Sequence, residues 1–512
     1  MNKIWKAVAI LFVLNGALVL FSFVYENTFA AWDSKVTGDK SGRLQFITLS
    51  DILTPDTATV NENAEQLADK LMTQDTISVQ KIKKKGRVDS AFLVKPGDTS
   101  SRDNKIYNAT ALDAFFASLI DEKDNTVVRV AHYGDSQLEG DRVTEHIRSN
   151  LQAKFGGKGL GFVPLDDVAS CASYTRTNTG TWTRYNVFNN KIKGSYYGLS
   201  GSVFRFAKGE VLPEVPKPAI DSLGNTDSSQ PKTDSQPVPA AKQKLVKYTR
   251  NAGVTYRFSS GVKYNDVSLM YGRSSEGFGV RCYTLGNELL SADTIKPQLG
   301  FAKTKLKIPA GLSGFRVEFL GNNSPDIYGL LVDDSTGITV DNYAIRGHSG
   351  DGLMRIDDNY LATQAKLTNT RLIVFQYGAN MIPYLESEKE CKYYEDAFYR
   401  LFMKFKKAAP NASILVIGNG DMGYKQGSDA QSYQQVRCLS DVQKAAALRA
   451  NCAFWSLLDA MGGDNSILTW NRKGLCALDG HLSPKGQKIM ANLIFTALMR
   501  EYNNYVIKQQ NL

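Results

Sequence analysis

Histidine is scarce in this chain of 512 residues. His132, His146, His348 and His481 are the only four, so any step that needs an imidazole draws on a short list. Cysteine is sparse as well, and the six present, Cys171, Cys282, Cys391, Cys438, Cys452 and Cys476, form no CxxC pair and show no metal-ligand spacing. An oxidising compartment would let some of them join and buried free thiols are the alternative; the spacing alone does not choose. Dense basic runs interleaved with aromatics are missing too. The net charge of +10 and a pI near 9.0 suit acidic partners such as anionic glycans, nucleic acid or lipid headgroups. Yet lysine and arginine are scattered, and the one tight run, "KIKKKGR" from Lys81 to Arg87, offers no ring for base stacking. It reads as a solvated loop, and nucleic acid is not expected as a partner.

Long uncharged apolar runs are also few, and the prominent one lies at the start. Ala7 to Tyr25 carries no charge and follows Lys3 and Lys6. It exceeds the apolar core of about 7 to 15 residues usual in a signal peptide, and as a helix it would nearly cross a bilayer core of about 30 Å. The lysines orient its N-terminus to the cytoplasm. The expectation is export, with an uncleaved membrane anchor favoured over a signal peptide cut near "TFAA", Thr28 to Ala31. The rest, with 43% hydrophobic and 22% charged residues overall, has the composition of an ordinary globular protein long enough for two or three domains.

One stretch stands out, "RVAHYGDSQLEGDR" from Arg129 to Arg142. The β-branched run "TVVRVAHY" predicts a strand, and Val143, Ile147 and Leu151 at helical spacing predict a helix after it. Ser136 therefore sits in a tight turn at the C-terminal edge of a sheet, where open α/β folds bind ligands and a helix N-terminus favours negative charge. That is a suitable place for a nucleophile. The other reading is that Asp135 or Ser136 only caps the helix.

Composition divides the chain further. Residues 1–32 form the anchor or signal segment, and 33–104 read as a polar lead-in or stalk with a helix near Asn61 to Met72. Residues 105–172 and 336–505 alternate strands and helices, which implies a parallel sheet. Between them, 173–335 hold short alternating runs such as "GFRVEFLG" and "IYGLLVDD", the pattern of an antiparallel β-sandwich. That insert is interrupted by residues 213–244, where six of the 15 prolines lie among polar residues, a composition that predicts a disordered loop.

In the returning α/β part, each strand ends in a loop with a distinctive residue: Gly347 in "RGHSGDG", Gly378 and Asn380 in "QYGAN", Asp479 and His481 in "LDGHLSPKG". Singly, each has a plain reading as a turn, a cap or a solvated loop residue. In order, "GDSQ", "RG", "GAN" and "DGH" resemble the four blocks of the SGNH, or GDSL, hydrolases. The resemblance implies a flavodoxin-like parallel-sheet α/β fold with Ser136 as nucleophile and His481 as base. It implies Asp479 as the acid, and Ser136, Gly347 and Asn380 as oxyanion-hole donors. Two positions depart from the family pattern. Leu478 stands where its acid usually lies, three before the histidine, and Asp479 lies two before, as in the Asp-x-His pair of alginate-type O-acetyltransferases; Met381 replaces the aspartate that often follows the asparagine. His132 and His348 flank the key loops, where packing and substrate contact are both open.

An inserted sandwich of jelly-roll type between the first two blocks, and the "FGGKGLG" turn at Phe155 to Gly161, resemble bacterial peptidoglycan O-acetylesterases. The function this implies is removal of O-acetyl groups from an envelope polysaccharide, peptidoglycan first, by a carboxylic ester hydrolase in the periplasm that is membrane-anchored, or secreted if cleaved. Such chemistry calls for no metal or organic cofactor. The alternatives are an O-acetyltransferase on the same kind of glycan and a non-catalytic glycan-binding protein. Self-association is not legible in the sequence.

Overall fold

In "VVRVAHYG", β-branched and aromatic side chains favour extended backbone. In the computed structural model this segment is a central strand with seven of its eight residues buried. The structure describes residues 16–17, 61–73, 79–81, 86–93, 104–121, 126–167, 169–206, 250–427 and 429–510. Six strands make the main sheet: β1 (Ile106–Tyr107), β2 (Val127–Gly134), β3 (Gly337–Ala344), β4 (Thr370–Gln376), β5 (Ser413–Gly418) and β6 (Ala453–Ser456), in the order β1-β6-β5-β4-β2-β3. All neighbours are parallel except β1, a two-residue edge strand antiparallel to β6. The sheet is therefore mixed rather than wholly parallel.

Alternation along β2 sends Val128 and Val130 to one face and Ala131 and Tyr133 to the other. The first face is covered by helices Asp113–Ile120, Thr144–Phe155 and Pro484–Gln510, the second by Asp358–Leu367, Glu388–Ala408 and Val436–Arg449. With both faces buried, the strands read as continuous apolar runs.

The insert is a two-sheet antiparallel β-sandwich. One sheet runs Leu289–Ile295, Phe278–Tyr283, Gly314–Gly321, Arg250–Phe258, Tyr174–Thr179, and the other Gln298–Lys305, Asp266–Ser274, Asp326–Asp333, Ser202–Arg205, Thr183–Asn186. "GFRVEFLG" shows why: Phe315, Val317 and Phe319 point inward and are fully buried, while the residues between them face outward. The boundary at residue 172 needs correction, because Gly159–Val163 already pairs with Asp326–Asp333 of the sandwich. Glycine makes that crossing possible: a Cβ at Gly161 would lie 2.5 Å from Asp341 Oδ1.

A buried ionic cluster joins the two domains. Arg129 of β2 pairs with Asp341 of β3 at 2.5 Å and with Asp333 at the end of a sandwich strand. Asp341 Oδ1 also accepts from the Phe162 N–H at 2.9 Å, and its Oδ2 accepts from the Tyr343 hydroxyl at 2.8 Å.

The lead-in read as a stalk is in part packed. Helix Glu62–Thr73 lies on the α/β domain, where Asn61 Nδ2 donates to the carbonyls of Gly462 (2.9 Å) and Asp464 (2.7 Å). Its small residues allow close approach, since a Cβ at Gly462 would lie 2.6 Å from Ala64 Cα. The apolar segment Ala7 to Tyr25, apart from Gly16 and Ala17, and the loop 213–244 lie outside the described residues. Among the described residues no helix is long and apolar enough to cross a membrane. All six cysteines are free thiols, four of them buried.

Candidate active site

Strand register sets the site. Ala344 of β3 and Gln376 of β4 both lie level with Gly134 of β2, so the loops carrying Gly347, Asn380 and Ser136 leave the sheet at one height. The fourth loop, before the last helix, brings His481 Nε2 to 2.9 Å from Ser136 Oγ across 345 residues of sequence. His481 Nδ1 lies 3.1 Å from Asp479 Oδ1, and the same oxygen accepts from the His481 backbone N–H at 3.1 Å. The turn between them explains how an acid two residues away can reach the ring. Gly480 adopts φ +84°, a conformation that disfavours side chains, and the Ala477 N–H donates to His481 O at 2.8 Å to close the loop.

Asp135 is the residue that sequence reasoning undervalued. It is buried, its Oδ1 accepts from the Gln137 N–H at 2.9 Å, and its Oδ2 accepts from Asn380 Nδ2 at 2.9 Å. The turn-capping role thus falls to Asp135, leaving the Ser136 hydroxyl free for His481. The second Asn380 hydrogen points at His348 O, 3.3 Å away. The shorter bond to Asp135 keeps the Asn380 amide oriented. The "GDS" turn offered the signal, since an aspartate there has two acceptors to spend.

Burial raises the Asp135 pKa from 3.8 to about 6, against the opposing pull of the Gln137 N–H, the His481 ring and the Asn380 amide. Because the folded value exceeds the ordinary one, protonation favours the fold; that contribution is full below about pH 4 and is lost as pH rises through about 6. Holding the carboxylate ionised at neutral pH costs about 3 kcal/mol at 1.36 kcal/mol per unit. The unfolding free energy of the parent minus that of Asp135→Asn should therefore fall by about 2–3 kcal/mol between about pH 4 and pH 7. Paired denaturant titrations would read this, and a flat difference would contradict it.

Other contacts brace the loops. Arg346 grips Glu139 in a fork, Nε to Oε1 at 2.9 Å and Nη2 to Oε2 at 2.5 Å, tying the Gly347 loop to the segment after Ser136. His348 is buried, with Nε2 accepting from the Gly352 N–H at 3.1 Å and its ring edge-on to Phe188 and Tyr377. His132 is buried with Nε2 3.2 Å from Gln376 Oε1. Burial lowers both pKa values to about 4, so both rings are neutral packing elements at pH 7. Among the described residues no cluster of histidine, cysteine and carboxylates is arranged to hold a metal.

Residues 312–489 match the GDSL-like Lipase/Acylhydrolase family. This chain carries a GDSL-like acylhydrolase domain. The match begins after most of the insert and includes Gly347, Asn380, Asp479 and His481 but not Ser136, which the fold brings against His481. With that family and a serine held against an imidazole, the chain is a carboxylic ester hydrolase.

The acylhydrolase is similar to a solved peptidoglycan O-acetylesterase, with 19% identity, a TM-score of 0.57, and 78% of this chain and 99% of that chain covered. An acetyl xylan esterase (16% identity, TM-score 0.24) covers 32% of this chain and 81% of its own. A family two carbohydrate esterase from Cellvibrio japonicus (11% identity, TM-score 0.21) covers 50% and 90%. No curated protein matches the chain.

Proposed function

We propose that the protein is a serine O-acetylesterase that deacetylates an envelope polysaccharide, peptidoglycan first. The observation that carries the reading is the 2.9 Å contact of His481 Nε2 with Ser136 Oγ at the edge of the sheet. Support for the substrate comes from the similar peptidoglycan O-acetylesterase, which is covered over 99% of its length. The uncharged segment after Lys3 and Lys6 supports export to the periplasm, with the membrane as a partner through that segment.

In this reading Ser136 Oγ attacks the acetyl carbonyl as His481 Nε2 takes its proton. The oxyanion is held by the Ser136 and Gly347 N–H groups and the Asn380 amide. Collapse forms acetyl-Ser136 and breaks the bond to the sugar oxygen, which leaves with the proton from His481. Water then attacks the acyl-enzyme, His481 takes a proton from it, and acetate departs with Ser136 restored. Asp479 steadies the imidazolium in both halves.

Acetate release from O-acetylated peptidoglycan, lost in Ser136→Ala, tests the reading. Transfer of acetyl to a sugar hydroxyl in place of water would make the protein a transferase, and release of neither would sink the proposal. Asp479→Asn should lower kcat by about 10²-fold, less than the ~10⁴ typical of a buried triad aspartate. The Asp479 side chain is 58% exposed, so water screens its charge at the ring. A fall of under about threefold in steady-state assays would remove Asp479 from the mechanism.

A further inference from the structure

Phe188 stands where the inserted sandwich meets the loop that carries Gly347 and His348. It follows strand Thr183–Asn186, and at 41% exposure it leaves much of an apolar ring in water. The loop around it is held firmly. Asn186 Oδ1 accepts from the N–H groups of both Phe188 (2.9 Å) and Asn189 (2.8 Å), and the Val187 N–H donates to Gly201 O at 2.9 Å. The ring packs edge-on to His348 with centroids 5.6 Å apart, and a Cβ at Gly347 would lie 3.4 Å from Phe188 Cε1.

This ring therefore borders the glycine assigned to the oxyanion hole. Contacts continue from there to the nucleophile: His348 O meets Asn380 Nδ2, and Asn380 meets Asp135, the neighbour of Ser136. A pyranose ring has a C–H face that avoids water and a rim of hydroxyls that seeks it. A rigid aromatic side chain beside the reacting centre can cover the first and leave an acetylated rim position directed into the cleft.

We propose that Phe188 is a sugar-stacking platform supplied by the inserted domain, seating one pyranose of the acetylated polysaccharide so that its ester carbonyl reaches Ser136. This rests on the polysaccharide reading above and gives the insert a part at the reacting centre. A ring that merely props the Gly347 loop would affect every ester alike. A stacking ring favours glycan esters over small ones.

The test compares kcat and KM on O-acetylated peptidoglycan and acetylated xylo-oligosaccharides with those on p-nitrophenyl acetate, using the full chain. In Phe188→Ala, kcat/KM should fall about tenfold further on the glycans than on the small ester, mainly through KM. Phe188→Leu, which still fills the space beside Gly347 and His348, should show the same selective loss, and Phe188→Tyr should restore the parent ratio. Equal losses on all substrates, or no loss on glycans that the parent cleaves, would overturn the platform alone. A parent that cleaves the small ester but no glycan ester would overturn the polysaccharide reading and the platform together.

Discussion

Ser136→Ala is expected to lower kcat for ester hydrolysis by at least about 10⁴-fold, and His481→Ala by a similar factor. In the proposed mechanism each removes one half of a single proton-coupled step. Without Oγ there is nothing to acylate, and without Nε2, 2.9 Å away, the hydroxyl keeps its proton. The double variant should be no worse than either single one, because residues that act as a unit are strongly non-additive. What remains would come from substrate binding and the oxyanion donors on loops that neither change disturbs. Mass spectrometry of the rapidly quenched parent should find one acetyl group on Ser136, absent from Ser136→Ala. Losses that multiply in the double variant would mean that the two residues serve separate steps, and an adduct elsewhere would name another nucleophile.

The largest effect on stability is expected at Asp341. Asp341→Ala should destabilise the fold by about 2–4 kcal/mol, since it removes one of the two carboxylates that balance a buried guanidinium and leaves two further buried donors without their acceptor. The carboxylate is fully buried and answers three donors, Arg129 Nη1, the Phe162 N–H and the Tyr343 hydroxyl. Arg129 would retain Asp333 and the Thr368 carbonyl, which accepts from its Nε at 3.2 Å, so the loss is of one anchor rather than of all. Since the cluster spans β2, β3 and the sandwich, the docking of the two domains should weaken first. Urea unfolding followed separately by near-UV signals and by esterase activity would show the shift, and a change below about 1 kcal/mol would mean that the cluster relaxes or admits water.

Much of the architecture is legible locally. Val128, Val130, Ala131 and Tyr133 announce a strand buried on both faces, Glu388–Ala408 is bounded by the Ser387 cap and Pro410, and "GFRVEFLG" alternates as a sandwich strand must. The loop glycines and the unusual polar residues after them are visible as a series. Less legible was the edge strand β1, whose two residues carry no periodic signal, and the early entry of Gly159–Val163 into the sandwich, which looks like any glycine-rich turn. The packing of helix Glu62–Thr73 depends on small residues meeting small residues, and no pattern within one segment reports that.

The site divides in the same way. Sequence by itself determined which kinds of residue end each strand and which few histidines were available. The resemblance had already pointed to His481 and Asp479; only the tertiary structure decided that Gly480 folds Asp479 back onto the ring, that Asp135 holds Asn380, that His132 and His348 are buried away from Ser136, and that a phenylalanine from the insert borders Gly347. The reason is physical. Strand periodicity and turn chemistry act over a few residues, whereas the contacts of the site join residues up to 345 positions apart. Their distances are set by the register of parallel strands and by how two domains pack.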